Sequence, residues 1–92
     1  MFGPVTHHAA VRMQQRAICL DAVDMLLEFG SAERCRGADR FFFDRAARRD
    51  VAESLDELTL RGYERFLNAY AVVADDGSLV TVGWRARRLR RP

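Results

Sequence analysis

The sequence predicts an α+β fold, in which an N-terminal helical hairpin packs on a small antiparallel sheet and a further helix is inserted between the strands. Two observations predict it. Apolar residues recur at helical spacing in the first third of the chain, and two β-rich runs flank Asp76-Gly77 near its end. A chain of 92 residues is long enough for one hydrophobic core, so residues 1–92 are expected to form a single domain.

The first two helices follow from their end signals. Thr6 is a suitable N-cap for a helix over residues 7–16. A second helix is expected over residues 20–29, ended by Gly30 in the left-handed conformation. Residues 1–5 are expected to be frayed. The apolar sides of the two helices comprise Val5, Ala9, Met13 and Ala17 in the first, and Val23, Leu26 and Leu27 in the second.

The middle of the chain predicts two short strands and a helical insert. A turn at Gly37-Ala38 would join the strands, and the second strand would run through the three phenylalanines at 41–43. Asp44 is placed to cap the helix that follows, and residues 45–67 could form one helix or two. The apolar positions expected to face the core there are Ala47, Val51, Leu55 and Leu58.

A β-hairpin is the clearest local signal. Residues 69–75 and 78–84 are rich in β-branched and aromatic residues, and Asp76-Gly77 is the pair that a type I′ turn prefers.

Positive charge is concentrated at both ends of the chain, and every basic residue is arginine. Residues 1–18 carry two arginines and no acid, for a net charge of +2. Residues 19–83 carry eight arginines against thirteen acids, for −5, and residues 84–92 carry five arginines and no acid, for +5. Ends that meet in space would form one positive surface suited to a polyanion.

Several classes of protein are disfavoured. The longest apolar runs are too short to cross a bilayer, and no signal peptide is evident, so a cytoplasmic protein without a membrane partner is expected. Cys19 and Cys35 have no metal-ligand spacing and are expected to be reduced, buried thiols; a disulfide between them is the alternative. With only two histidines, which are adjacent, neither a metal site nor a cofactor is expected.

Both ends of the chain resemble a bacterial domain family of unknown function. The opening pattern H-A-x-x-R-M-x-x-R-x-I spans His8 to Ile18, and the closing pattern T-V-G-x-R-x-R-R spans Thr81 to Arg88. That family is similar to the RelE and BrnT groups of small ribonuclease toxins, which pair a helical hairpin with a curved antiparallel sheet. Its members often carry glycine at the position of Ala17 and histidine at the position of Trp84.

The resemblance implies RNA as a partner and a toxin-like, metal-independent endoribonuclease as the activity. Such cleavage needs an acid or base and cations that stabilise the phosphorane. His8 could supply the former, because imidazole titrates near neutral pH. Arg12 and Arg16, one and two helical turns further on, could grip the phosphate, with Arg85 as a second clamp. The expected nucleic-acid-binding residues are Trp84, which could stack on a base, and Arg87, Arg88, Arg90 and Arg91.

A structural alternative stands beside each of these roles. His8 could cap backbone groups, Arg12 and Arg16 could pair with carboxylates, and Trp84 could belong to the core. A non-enzymatic function is the second hypothesis, in which the basic edge at residues 85–92 docks an acidic, antitoxin-like protein. The oligomeric state is left open.

Overall fold

The computed structural model describes residues 3–85 and confirms the α+β class, with helices packed on a small antiparallel sheet. Within that range, the elements in chain order are α1 (His7–Arg16), α2 (Leu20–Phe29), β1 (Ser31–Cys35), β2 (Ala38–Phe42), α3 (Arg45–Ser54), α4 (Glu57–Tyr63), a 3-10 helix (Glu64–Asn68), β3 (Ala69–Ala74) and β4 (Leu79–Trp84).

The four strands form a meander in the order β1-β2-β3-β4, and every neighbouring pair is antiparallel. The register aligns Phe41, Ala71 and Val82 across three strands on the face that the helices cover. Ala69 and Ala71 of β3 are fully buried on this face, and their small side chains let α2 pack closely against the strand. The core comprises Ala9, Ile18, Ala22, Val23, Met25, Leu26, Phe43, Ala47, Val51, Phe66, Ala69, Ala71, Leu79 and Val82.

The predicted bounds of α1 and α2 are confirmed, but the backbone conformation at the end of α2 is not the one expected. Ala17 ends α1 in the left-handed region, with φ 55° and ψ 46°. Gly30 ends α2 with an extended backbone, φ −71° and ψ 160°, so its predicted left-handed conformation is wrong. Glycine serves a different purpose there, since a Cβ at position 30 would overlap the carbonyl oxygen of Leu26.

The N-terminal segment is not frayed where the structure describes it. The Leu79 N–H donates to the Pro4 carbonyl at 2.9 Å, and the Thr6 N–H donates to the Leu79 carbonyl at 3.1 Å. Val5 forms a parallel bridge with Leu79. The prediction of a frayed segment is therefore wrong for residues 3–5, because this segment satisfies backbone groups at the edge of β4 that would otherwise lack a partner.

Both hairpin turns differ from the predicted ones. The first lies at Arg36-Gly37, one residue earlier than expected, and both residues have positive φ (40° and 77°). In the second, only Gly77 has positive φ, and its N–H donates to the Ala74 carbonyl at 2.9 Å. The predicted type I′ turn at Asp76-Gly77 is therefore wrong, because that turn needs positive φ at both residues. The observed turn spans residues 74–77 and is closed by the hydrogen bond from the Gly77 N–H.

The insert at residues 45–67 contains two α-helices followed by the 3-10 helix. Leu55 separates α3 from α4 with an extended backbone, φ −102° and ψ 147°. Asp56 then caps α4 by accepting a hydrogen bond from the Thr59 N–H at 2.7 Å. This break rotates the apolar stripe, so that Leu58 is 81% exposed and its predicted place in the core is wrong.

Ala17→Gly should raise the free energy of unfolding by about 0.5–1 kcal/mol, because alanine at φ 55° carries steric strain that glycine lacks. Thermal denaturation followed by circular dichroism measures the effect. Ala10→Gly, at an exposed position inside α1, is the matched control and should lower stability by a similar amount. Destabilisation by both substitutions would contradict the assignment of strain to Ala17.

Asp44→Asn should leave stability near pH 7 almost unchanged and flatten its decline in acid. The Ala47 N–H and the Ser31 hydroxyl donate to the Asp44 carboxylate at 2.8 and 2.7 Å, which holds the pKa of that carboxyl below its ordinary value of 3.8. A lowered folded-state pKa contributes stability above the unfolded pKa, and this stability is lost as pH falls through the folded pKa. Asparagine keeps the cap without titrating.

Urea denaturation of Asp44→Asn and the wild type, at pH values from 7 down to 2.5, tests this. Acid limbs of equal steepness would show that the capping carboxylate is not a source of the pH dependence.

Candidate nucleic-acid interface

The face of the sheet turned away from the helices carries a different set of side chains. Because strand residues alternate between faces, the register places Glu33, Arg40, Val72 and Thr81 in one row across all four strands. The next row contains Phe42, Tyr70 and Gly83, and Arg85 follows at the end of β4. We call this the outer face, defined by Arg40, Phe42, Tyr70, Val72, Thr81 and Arg85.

An open cavity of about 480 Å³ lies on the outer face. This volume is within the range of small-molecule sites and is large enough for one nucleotide unit. The cavity has both polar and apolar walls. Its lining residues are Arg40, Tyr70, Val72, Thr81, Trp84 and Arg85.

Two arginines of this cavity lie over the same aromatic ring. The guanidinium carbon of Arg85 is 4.8 Å from the centroid of Phe42, and that of Arg40 is 5.7 Å from it. Both distances are within the range of cation–π attraction. The Arg85 guanidinium also donates to the Phe43 carbonyl at 3.5 Å. The cavity therefore combines an aromatic surface with two positioned cations.

Gly83 gives Tyr70 its place on the outer face. A Cβ at position 83 would lie 2.7 Å from the hydroxyl oxygen of Tyr70 and 2.8 Å from its ring carbons. Only glycine therefore lets the ring lie across β4. The phenol lines the cavity and presents flat apolar surface of the kind on which bases stack.

The predicted stripe on α1 does not reach this cavity. Arg12 donates to the ring Nε2 of His8 at 3.4 Å and to the Gln15 side chain at 3.2 Å, both within its own helix. Arg16 turns to the edge of the sheet and donates to the Val82 carbonyl at 3.1 Å. Among residues 3–85, neither arginine forms an ion pair with a carboxylate. Of the four residues predicted as catalytic, Arg85 alone lines the cavity.

Trp84 occupies a packed position. Its indole N–H donates to the Arg16 carbonyl at 3.1 Å, and its ring stacks on Phe66 with centroids 6.0 Å apart. The geometry therefore favours packing over base stacking for its side chain. The other predicted nucleic-acid-binding residues, Arg87, Arg88, Arg90 and Arg91, lie outside the described residues.

Sequence reasoning missed Arg40, Phe42, Tyr70 and Thr81. The alternation of side chains within each strand was a usable signal for Arg40 and Phe42, which are two residues apart. The sequence gives no comparable signal for Tyr70 and Thr81. Their place on this face depends on the pairing of β2 with β3, about thirty residues further along the chain, and no local pattern sets that register.

The structure places both cysteines at the protein surface. Cys19 and Cys35 are free and exposed, so the expectation of buried thiols is wrong. Cys19 precedes α2 and Cys35 ends an edge strand, and neither position faces the core. No group of three or more His, Cys, Asp or Glu residues within residues 3–85 is arranged to hold a metal ion.

No helix within the described range is both long and apolar enough to span a bilayer.

Comparisons with protein-family models, with curated proteins and with solved structures find no match to this chain. The resemblance of both termini to a family related to the RelE and BrnT toxins therefore stays a prediction.

Arg16→Ala should lower the free energy of unfolding by about 1–2 kcal/mol, because the Val82 carbonyl at the half-buried edge of β4 loses its donor. Arg12→Ala removes the same charge from the same helix, but its hydrogen bonds are exposed, so its effect should stay within about 0.5 kcal/mol. Urea denaturation of the two variants measures the difference. Equal effects would show that the Arg16 contact has no structural role.

Proposed function

We propose that this protein binds single-stranded RNA on the outer face of its sheet. The observation that carries the proposal is the cavity lined by Arg40, Arg85 and Tyr70, in which both guanidinium groups lie over the neighbouring Phe42 ring. Single-stranded RNA exposes unpaired bases and a phosphate backbone together. Aromatic side chains bind the former by stacking, and arginines bind the latter through charge-assisted hydrogen bonds.

The shape of the site favours a single strand over a duplex. The cavity takes about one nucleotide unit, and its aromatic rings contact a base only if that base is unstacked. The choice of RNA rather than DNA rests on the resemblance to ribonuclease toxins. The hydroxyl groups of Tyr70 and Thr81 support it, since they line the same cavity and can hydrogen-bond a ribose 2′-OH.

Binding is supported better than cleavage. General acid–base catalysis requires the acid or base and the phosphate-binding cations to meet at one bond. His8 is exposed on α1, and it does not line the cavity to which Arg85 belongs. A toxin-like endoribonuclease that uses His8, Arg12, Arg16 and Arg85 thus remains a prediction of the sequence, which the binding experiment can test on the same samples.

Fluorescence anisotropy with a labelled single-stranded RNA of about ten nucleotides tests the proposal. Tyr70→Ala should weaken binding by about 5- to 30-fold, because one stacked base contributes about 1–2 kcal/mol, whereas Tyr70→Phe should keep most of the affinity. Arg85→Ala should weaken binding and reduce the slope of log affinity against log salt by about 1.

Arg61→Ala is the charge-matched control, because Arg61 lies on α4 and pairs with Glu57 there. Circular dichroism establishes that each variant is folded. No binding by the wild type near physiological salt would end the RNA proposal. If Arg61→Ala weakens binding as much as Arg85→Ala does, the RNA-binding site is not on the outer face. Competition by an acidic peptide would favour the protein-docking hypothesis.

The same reactions, run on a denaturing gel, test cleavage. Fragments that are absent with folded His8→Ala and Arg85→Ala variants would establish the ribonuclease. Intact RNA in samples that bind would restrict the function to binding.

A further inference from the structure

We propose that Glu33 regulates the outer-face site, because its carboxylate pairs with Arg40 and occupies the position that an RNA phosphate takes on binding. The inference rests on the proposed function and names a residue outside the rings and cations that would contact RNA. In the ligand-free protein, Glu33 lowers the affinity of the site for anions, and binding exchanges its carboxylate for a phosphate.

The geometry places the two side chains directly opposite each other. Glu33 on β1 and Arg40 on β2 are register partners, so both lie on the outer face. Oxygen Oε1 of Glu33 lies 2.7 Å from Nη2 of Arg40. The same Arg40 guanidinium lies 5.7 Å from the Phe42 centroid and lines the cavity. The carboxylate therefore occupies an anion position at the margin of the cavity.

Among the residues that the structure describes, the second cation of the cavity has no carboxylate partner. Arg85 contacts the Phe42 ring and the Phe43 carbonyl, and within residues 3–85 it forms no ion pair. One cation of the site is thus neutralised before RNA arrives and the other is not. A phosphate that enters the site can bind Arg85 directly, whereas Arg40 must first separate from Glu33.

The release of Arg40 should be easy. The side chains of Arg40 and Glu33 are 41% and 53% exposed, and ion pairs of this exposure contribute little because water screens them. Glu33 also lies on β1, an edge strand with no strand on its far side in the described sheet, so its side chain can turn into solvent. A phosphate offers the guanidinium the same pair of acceptor oxygens as a carboxylate.

Glu33→Gln, measured with the same RNA and the same anisotropy assay, tests the inference. Removal of the competing charge should tighten binding by about two- to fivefold. It should also steepen the dependence of affinity on salt, because the complex of the variant has no free carboxylate at position 33 to repel the RNA backbone. In an Arg40→Ala background, Glu33→Gln should have no such effect, since the cation for which it competes is absent.

Glu57→Gln is the matched control, because it breaks an exposed Glu–Arg pair on α4 and changes the net charge equally. It should leave affinity unchanged. Equal tightening by Glu57→Gln and Glu33→Gln, or tightening that persists in the Arg40→Ala background, would overturn the inference in favour of a general charge effect.

Failure of the inference and failure of the proposed function give different results. Wild-type binding that depends on Tyr70 and Arg85 but is unchanged by Glu33→Gln overturns the inference alone. Absence of binding by the wild type and by Glu33→Gln overturns both.

Discussion

The outer edge of β4 is the constraint on which much of the structure depends, because its backbone groups need partners that the sheet does not supply. Residues from the start of the chain provide them. Pro4 and Thr6 bond to Leu79 through their backbones, and the Thr6 hydroxyl donates to the Val80 carbonyl at 3.2 Å while it accepts from the Ala9 N–H as the cap of α1. Arg16 donates to the Val82 carbonyl at the other end of the helix. One helix thus closes one edge along most of its length.

In return, β4 supplies a hydrogen-bond donor to the C-terminal end of α1. The C-terminal turn of a helix leaves carbonyl groups without intrahelical donors, and the Trp84 indole supplies one to Arg16. The positive φ of Ala17 then turns the chain towards α2, whose Ala22 and Val23 pack in the core with Ala69 and Ala71 of β3. Small residues on the inner face permit this close packing. Arg40, Phe42 and Tyr70 of β2 and β3 are left on the outer face, where the cavity lies.

The fold class and both N-terminal helices could be predicted because their signals are local. Thr6 caps α1 as expected, and Asp44 caps α3. The exposed Leu58 could not be predicted from helical spacing, since a single extended residue at Leu55 changes the phase of the stripe. The outer-face site depends on the pairing of β2 with β3, which is fixed by packing between distant segments and not by either strand alone.

The predicted catalytic stripe shows why residue spacing identifies a shared face more readily than a site. His8 and Arg12 do lie within hydrogen-bond reach on one side of α1, as residues four apart should. Arg16, on the same stripe, meets the carbonyl of Val82, 66 positions later, and that contact gives it a structural role. Arg85 lies over Phe42 on the opposite face of the sheet. The stripe on α1 and Arg85 at the end of β4 therefore both form as predicted from spacing, but they do not meet at one site. Cleavage by Arg85 would need an acid–base group beside it, and His8 does not line the cavity to which Arg85 belongs.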